Sequence, residues 1–230
     1  MKSNFPSQNA SNRAYKGIRE MIFRYELIPG QKVTYGQLAA KLGMSKTPII
    51  NALNRLEQEE FVISSPNRGF FIKEIDIDES KNLFRIREAL EILAVEECIR
   101  NRNPEGLKEI ERALNAHRNY SLTEFVTRKR YALDSIFHSK IAECGGNKNL
   151  SRLMKQIWEQ IYLRHRIEGI PFRRFQQTPR EHQELFDAIK EGNLVKAKRV
   201  MKKHMSKAKE VLFKAIQKNK EPYELPDLIE

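Results

Sequence analysis

Gln37-Leu-Ala-Ala-Lys-Leu-Gly-Met-Ser-Lys-Thr-Pro-Ile-Ile-Asn-Ala-Leu-Asn-Arg-Leu56 is the stretch whose reading decides the fold. A short helix from about Tyr35 to Leu42 is closed by Gly43, which can take the backbone turn that a side chain resists. A second helix from about Lys46 to Glu59 follows, with Ser45 as its N-cap and Pro48 in its first turn. Ala39 is small enough for the two helices to cross closely, and Ile49 and Leu53 anchor the second on the first. Lys46, Asn51, Asn54 and Arg55 are left facing outward. This is the logic of a helix-turn-helix, in which polar side chains of the second helix read base edges in a major groove. An ordinary helical hairpin with solvated polar residues is the blander reading of the same spacing.

The flanks favour the first reading. Residues 12–27 have helical periodicity, with Tyr15, Ile18, Ile22 and Tyr25 on one side, until Ile28-Pro29-Gly30 stops the helix. After the second helix, Phe61-Val-Ile63 and Phe70-Phe-Ile72 are two short β-runs around Ser64-Ser-Pro-Asn-Arg-Gly69, a hairpin with turn chemistry. Such a wing would hold Arg68 over a phosphate or the adjacent minor groove. The run Ile28-Pro-Gly-Gln, then Leu38-Ala, Gly43, Ser45-Lys-Thr-Pro48, Ala52-Leu53, Leu56 and Arg68-Gly69 resembles the winged helix of GntR-type bacterial transcription regulators across residues 10–73. Motif and resemblance together nominate Ser45, Lys46, Thr47, Asn51, Asn54, Arg55 and Arg68 as contacts to a double-stranded DNA operator. Two departures bear on specificity. Ile50-Asn51 stands where the family usually has arginine and glutamate, and Lys46 replaces an arginine, keeping charge but losing its fork. An asparagine at 51 can pair with N6 and N7 of adenine instead.

Beyond the acidic stretch Glu74 to Glu79 the β signal disappears. Six helical segments are expected, at about 79–101, 104–119, 122–143, 148–168, 179–190 and 193–218, separated by Pro, Gly and Asn breaks. Leu83, Ile86, Leu90, Leu93 and Ile99 form an apolar stripe on the first, and Leu153, Ile157 and Ile161 on the fourth. The expected architecture is mainly α: a winged helix-turn-helix over residues 1–75 and an all-α six-helix bundle over 76–230.

Four polar residues lie beside apolar stripes of that bundle. Asp134 and His138 are one turn apart among Leu133, Phe137 and Ile141. His182 leads Leu185, Phe186 and Ile189, and His204 is in line with Ala197, Val200, Ala208 and Val211. Burying three histidines and a carboxylate demands partners. They can satisfy one another, or a divalent ion can satisfy them all and keep positions open for a ligand. Arg87-x-x-Leu-Glu91, Asp134-x-x-Phe-His138, Asn147, Glu181-His182, Ala188-Ile189, Gly192-Asn193 and Met201-x-x-His204 resemble the C-terminal ligand-sensing (FCD-type) domain of FadR-type GntR regulators, over about residues 78–216. Six helices suit its shorter, VanR-like subgroup. The resemblance implies that Asp134, His138, His182 and His204 ligate a divalent ion, zinc first, with nickel or manganese as alternatives. It further implies a small organic carboxylate as effector. Arg87, matching the family's pocket arginine, either pairs that carboxylate or forms an intrahelical pair with Glu91 at i+4. His117 and His165 match no ligand position, Trp158 and Tyr162 read as core, and Cys144 as a packed thiol.

Composition sets the limits. The chain has 230 residues, 40% hydrophobic and 31% charged, enough to bury a core. No apolar run approaches the ~20 residues that span a bilayer, so no membrane partner is expected. A polar Met1–Ser11 without a secretory signal, and two cysteines outside any framework, point to the cytoplasm. The net charge of +12 is uneven: residues 1–75 carry a surplus of five and residues 151–220 a surplus of eleven. The expected function is a homodimeric DNA-binding regulator, a repressor, controlled by its effector, and not an enzyme. A metal-dependent hydrolase, or a regulator whose helical domain only dimerises, are the alternatives. Against the hydrolase, no dedicated general base such as that of an HExxH helix accompanies the cluster.

Overall fold

The computed structural model describes residues 5–24, 26–74, 77–120, 128–164 and 172–218. Two compact units divide near residue 75. In the first, α1 (Phe5–Phe23), α2 (Tyr35–Leu42) and α3 (Lys46–Gln58) accompany a three-stranded antiparallel sheet. Thr34 caps α2 by accepting a hydrogen bond from the Gln37 amide, and Gly43 ends it at φ +62°, in the left-handed region that glycine tolerates. Ser45 occupies the N-cap of α3 in extended conformation. Ile49, Leu53 and Leu56 of α3 are fully buried with Ile18 and Ile22 of α1 and Leu38 of α2.

The wing is β2 (Val62–Ser65) and β3 (Gly69–Ile72), paired Val62 to Ile72 through Ser65 to Gly69. The sequence reading missed β1 (Lys32–Val33), which pairs with β3 and makes it the central strand. A two-residue strand carries too little alternation to register as a β-run. α1 also starts earlier than its periodicity suggested, at Phe5, and Tyr25 lies outside the described residues.

The second unit is built from α4 (Ile77–Asn101), α5 (Pro104–Asn119), α6 (Arg128–Cys144), α7 (Lys148–Arg164), α8 (Phe172–Glu191) and α9 (Leu194–Lys218). α5 packs on α6, and α9 on both α4 and α8. Phe137, Ile141, Met154, Ile189 and Met201 are fully buried in its core. Three expectations need correction. α8 runs through Pro179 rather than starting there, and residues 122–127 and 165–168 of the expected third and fourth helices lie outside the described residues. On α4, Ile86 and Leu93 are 49% and 38% exposed, while Phe84, Arg87, Glu91, Ala94, Val95 and Cys98 face inward. On α7, Leu153 is exposed and Leu150, Met154, Trp158 and Ile161 are buried. Leu83, Leu90 and Ile99 of the expected α4 stripe do lie in or against the core, and only Ile86 and Leu93 fall outside it, because the inward face also carries a charged pair. Cys98 and Cys144, far apart in sequence, are neighbouring buried free thiols.

Candidate functional site

Asp134, His138, His182 and His204 come together inside the helical unit, each offering one ligand atom, and these atoms all lie within 4.8 Å of one another. α6 supplies the first two one turn apart, α8 supplies His182 and α9 supplies His204. The three imidazoles are buried and Asp134 is partly buried. Asp134 Oδ1 and the Nε2 atoms of all three histidines are shielded from water and make no hydrogen bond among the described residues, although Asp134 Oδ1 lies 3.2 Å from His182 Nε2. Leaving four polar atoms in that state is costly unless something binds them together. Three nitrogens and a carboxylate oxygen fit a divalent ion of the zinc or first-row transition type.

The opposite edges of the rings are held. His138 Nδ1 is 2.7 Å from Glu91 Oε2, and His204 Nδ1 is 2.8 Å from Glu181 Oε2. A carboxylate can only accept, so each Nδ1 faces it as the donor, and a neutral imidazole held this way presents the Nε2 lone pair to the cluster. At His182, Nδ1 instead meets Nδ1 of His117 at 3.2 Å. His182 also stacks on Phe137, with centroids 4.1 Å apart.

These outer carboxylates are themselves neutralised. Glu91 accepts from Arg87 Nε and from Trp158 Nε1, each at 3.2 Å. Burial pushes its carboxyl upward, but the His138 imidazole and the Arg87 guanidinium outweigh it and hold the pKa below the ordinary value. Glu181 is paired with Arg174 at 2.7 Å and Lys207 at 2.8 Å. Against burial, His204, Lys207 and Arg174 bring it down to about 2. Burial lowers His182, and lowers His204 to about 3, so both imidazoles are neutral near pH 7. Asp134 stays ionised: burial opposes it, but the surrounding imidazoles hold its pKa well below the ordinary value. Neutral imidazoles and an ionised carboxylate are the protonation states that metal ligation requires.

Of the two readings of Arg87, the structure shows the intrahelical pair. Its Nε makes the intrahelical pair with Glu91 and its guanidinium lies 3.5 Å over the Trp158 ring, while its Nη2 is buried without a hydrogen-bond partner among the described residues. Three residues were undervalued from sequence. Glu91 and Glu181 read as one half of an ion pair and as part of a motif. His117, which matches no ligand position, is 1% exposed against His182. Its only signal was its place in line with the inward residues Ile110, Ala113 and Leu114 of α5. His165 lies outside the described residues.

In the winged unit, Ser45, Lys46, Thr47, Asn51, Asn54 and Arg55 are exposed along α3 and its N-cap, and Arg68 is exposed at the tip of the wing. Asn51 Nδ2 donates to Ser11 Oγ at 3.3 Å. Arg55 pairs with Glu59 at 3.0 Å, donates to Asn12 at 3.3 Å and sits 3.7 Å over the Tyr15 ring. These contacts hold two of the residues nominated from sequence against α1.

Comparison with known proteins covers both units. Residues 10–72 match the family model described as bacterial regulatory proteins, gntR family, and residues 82–207 match the FCD domain. The uncharacterized HTH-type transcriptional regulator YdhC of Bacillus subtilis (strain 168) is 26% identical over 212 residues, 90% of this chain and 92% of that one. The HTH-type transcriptional repressor RspR of Escherichia coli (strain K12) is 20% identical over 228 residues, 93% of each. Among solved structures, McbR/YncC of E. coli shares the fold with a TM-score of 0.73 at 20% identity, covering 94% of this chain and all of that one.

Proposed function

The chain belongs to the GntR family of bacterial DNA-binding transcription regulators, carries an FCD domain and is not an enzyme, and from that premise we propose that it is a repressor controlled by a small carboxylate at a metal centre. Asp134, His138, His182 and His204 are the ligands, and zinc, nickel and manganese are the candidate ions. The observation that carries this reading is the convergence of four buried ligand atoms that have no hydrogen-bond partner among the described residues. When bound, a divalent ion supplies a positive centre that attracts an anionic oxygen. Asp134 offsets one of its two charges, whereas Glu91 and Glu181 are already paired with Arg87, Arg174 and Lys207. The pocket therefore keeps net positive charge, which suits an anion. The buried Nη2 of Arg87 gives that anion a directional N–H donor.

The DNA contacts are the exposed residues Ser45, Lys46, Thr47, Asn51, Asn54, Arg55 and Arg68. Two copies dock through their helical domains and present paired α3 helices to a twofold operator. Exposed Ile86 and Leu93, with half-buried Leu90 between them at helical spacing, support α4 as part of the docking face. The effector changes operator affinity by the difference in its affinity for the two arrangements, about 1–3 kcal/mol or 5–150-fold.

Metal content of the purified protein, followed by operator binding with zinc, nickel or manganese and a panel of small carboxylates, tests the proposal. The expected outcome is about one ion per chain and a carboxylate that shifts operator affinity only in the metal-loaded protein. Less than half an ion per chain, with no uptake on addition, refutes the metal centre. Metal uptake with operator affinity indifferent to every carboxylate leaves a structural ion and refutes the sensor.

A further inference from the structure

His182 differs from its two partners in what stands behind it. Glu91 and Glu181 back His138 and His204. Behind His182 stands His117, on the last turn of α5, with its Nδ1 3.2 Å from His182 Nδ1 and its ring tilted 55° to the other. Two ring nitrogens at that separation form a hydrogen bond only when one carries a proton and the other a lone pair. With Nε2 of His182 facing Asp134 and the cluster, a lone pair there requires the proton on Nδ1. His117 must then accept at Nδ1 and carry its own proton on Nε2.

We infer that His117 is a positioning residue of the metal centre: as a neutral acceptor it fixes the orientation and metal-binding tautomer of His182. The inference rests on the metal reading above. It also explains why a histidine is buried at this place. A carboxylate at this place would put a third negative charge behind the rings and would reduce the pocket's attraction for an anion. A neutral imidazole accepts the same hydrogen bond without that charge. Its electrostatic support for the ligand is weaker, so His182 depends on geometry more than His138 or His204 does.

Zinc is the probe, and the full chain is compared with His117→Phe and His117→Gln by competition with a chelator. Phenylalanine keeps the ring volume and removes the acceptor; glutamine restores an acceptor oxygen. The phenylalanine variant is expected to bind zinc about 10–100-fold more weakly, with glutamine recovering much of the loss. In zinc-loaded protein labelled with ¹⁵N-histidine, a nitrogen–nitrogen coupling through the hydrogen bond should link Nδ1 of His182 to Nδ1 of His117. That coupling is read on the unmutated chain, so it does not depend on the variants folding. Wild-type affinity in the phenylalanine variant, or equal weakening in both variants, or zinc-loaded wild type without the coupling, overturns the assignment while leaving the metal centre standing. A wild-type chain that takes no zinc overturns both.

Discussion

Substituting Glu91 by glutamine removes one negative charge and one acceptor from the most enclosed polar contact of the helical unit. Glu91 is fully buried and accepts from His138 at 2.7 Å and from Arg87 and Trp158 at 3.2 Å. Glutamine keeps one carbonyl oxygen, so at least one of these donors faces an NH₂ group. Breaking a buried pair costs about 3–5 kcal/mol because the partner charge is left behind. The amide's easier desolvation and its remaining acceptor offset part of this, which gives an expected loss of about 3 kcal/mol. Trp158 is the one tryptophan of the chain and touches Glu91, so its fluorescence in urea reports this unit in metal-free protein. The pH dependence has a definite sign. The folded pKa of Glu91 lies below its ordinary 4.5, so its contribution is complete above about pH 4.5 and fades as pH falls through the folded value. The gap between wild type and variant must therefore narrow in acid. A second readout is zinc affinity, because His138 can answer an amide donor only by moving its proton to Nε2, the metal-facing atom. A loss under about 1 kcal/mol with unchanged zinc affinity would show that Glu91 neither stabilises the unit nor fixes the tautomer of His138.

Arg55→Ala should weaken operator binding and lower the slope of log affinity against log salt by about one, if the guanidinium contacts a phosphate; unchanged affinity in a titration followed by fluorescence anisotropy removes Arg55 from the contact surface. Leu93→Glu places a charge on the exposed apolar face of α4 and should shift the chain toward monomer in sedimentation equilibrium, with little change in helix content. A dimer of undiminished stability would place the docking face elsewhere.

The winged unit was legible because its signals are local. Gly43, Ser45 and Pro48 punctuate helices within single turns, and Ile49 and Leu53 declare a buried face by spacing alone. β1 escaped because its two residues owe their conformation to pairing with Phe70 and Phe71, a long-range fact. In the helical unit the inward polar positions could be found from apolar neighbours, yet two of the five residues expected on the inner face of α4 lie outside it. Apolarity marked Ile86 and Leu93, whereas the pocket needed Arg87 and Glu91 inside. A charged pair is invisible to a hydrophobic period, and it is buried only because His138 and Trp158, 47 and 67 residues away, complete its hydrogen bonds. His117 is the same case: its neighbour in space is 65 residues off.

The uneven charge follows the same rule. The surplus over residues 151–220 is the larger of the two, yet some of it is spent inside the fold. Arg174 is buried against Glu181 and His204 because α8 begins at Phe172 rather than at Pro179, and Lys207 closes the other oxygen of Glu181. Without those two cations, a carboxylate behind His204 would leave a buried negative charge that opposes an anion at the site. With them, it can orient the imidazole at little electrostatic cost to ligand binding. The basic residues of this segment therefore have two destinations. Lys202 and Lys203 stay exposed on α9, while Arg174 and Lys207 set the charge of the pocket. Only the smaller surplus of the winged unit lies on elements shaped to enter a groove.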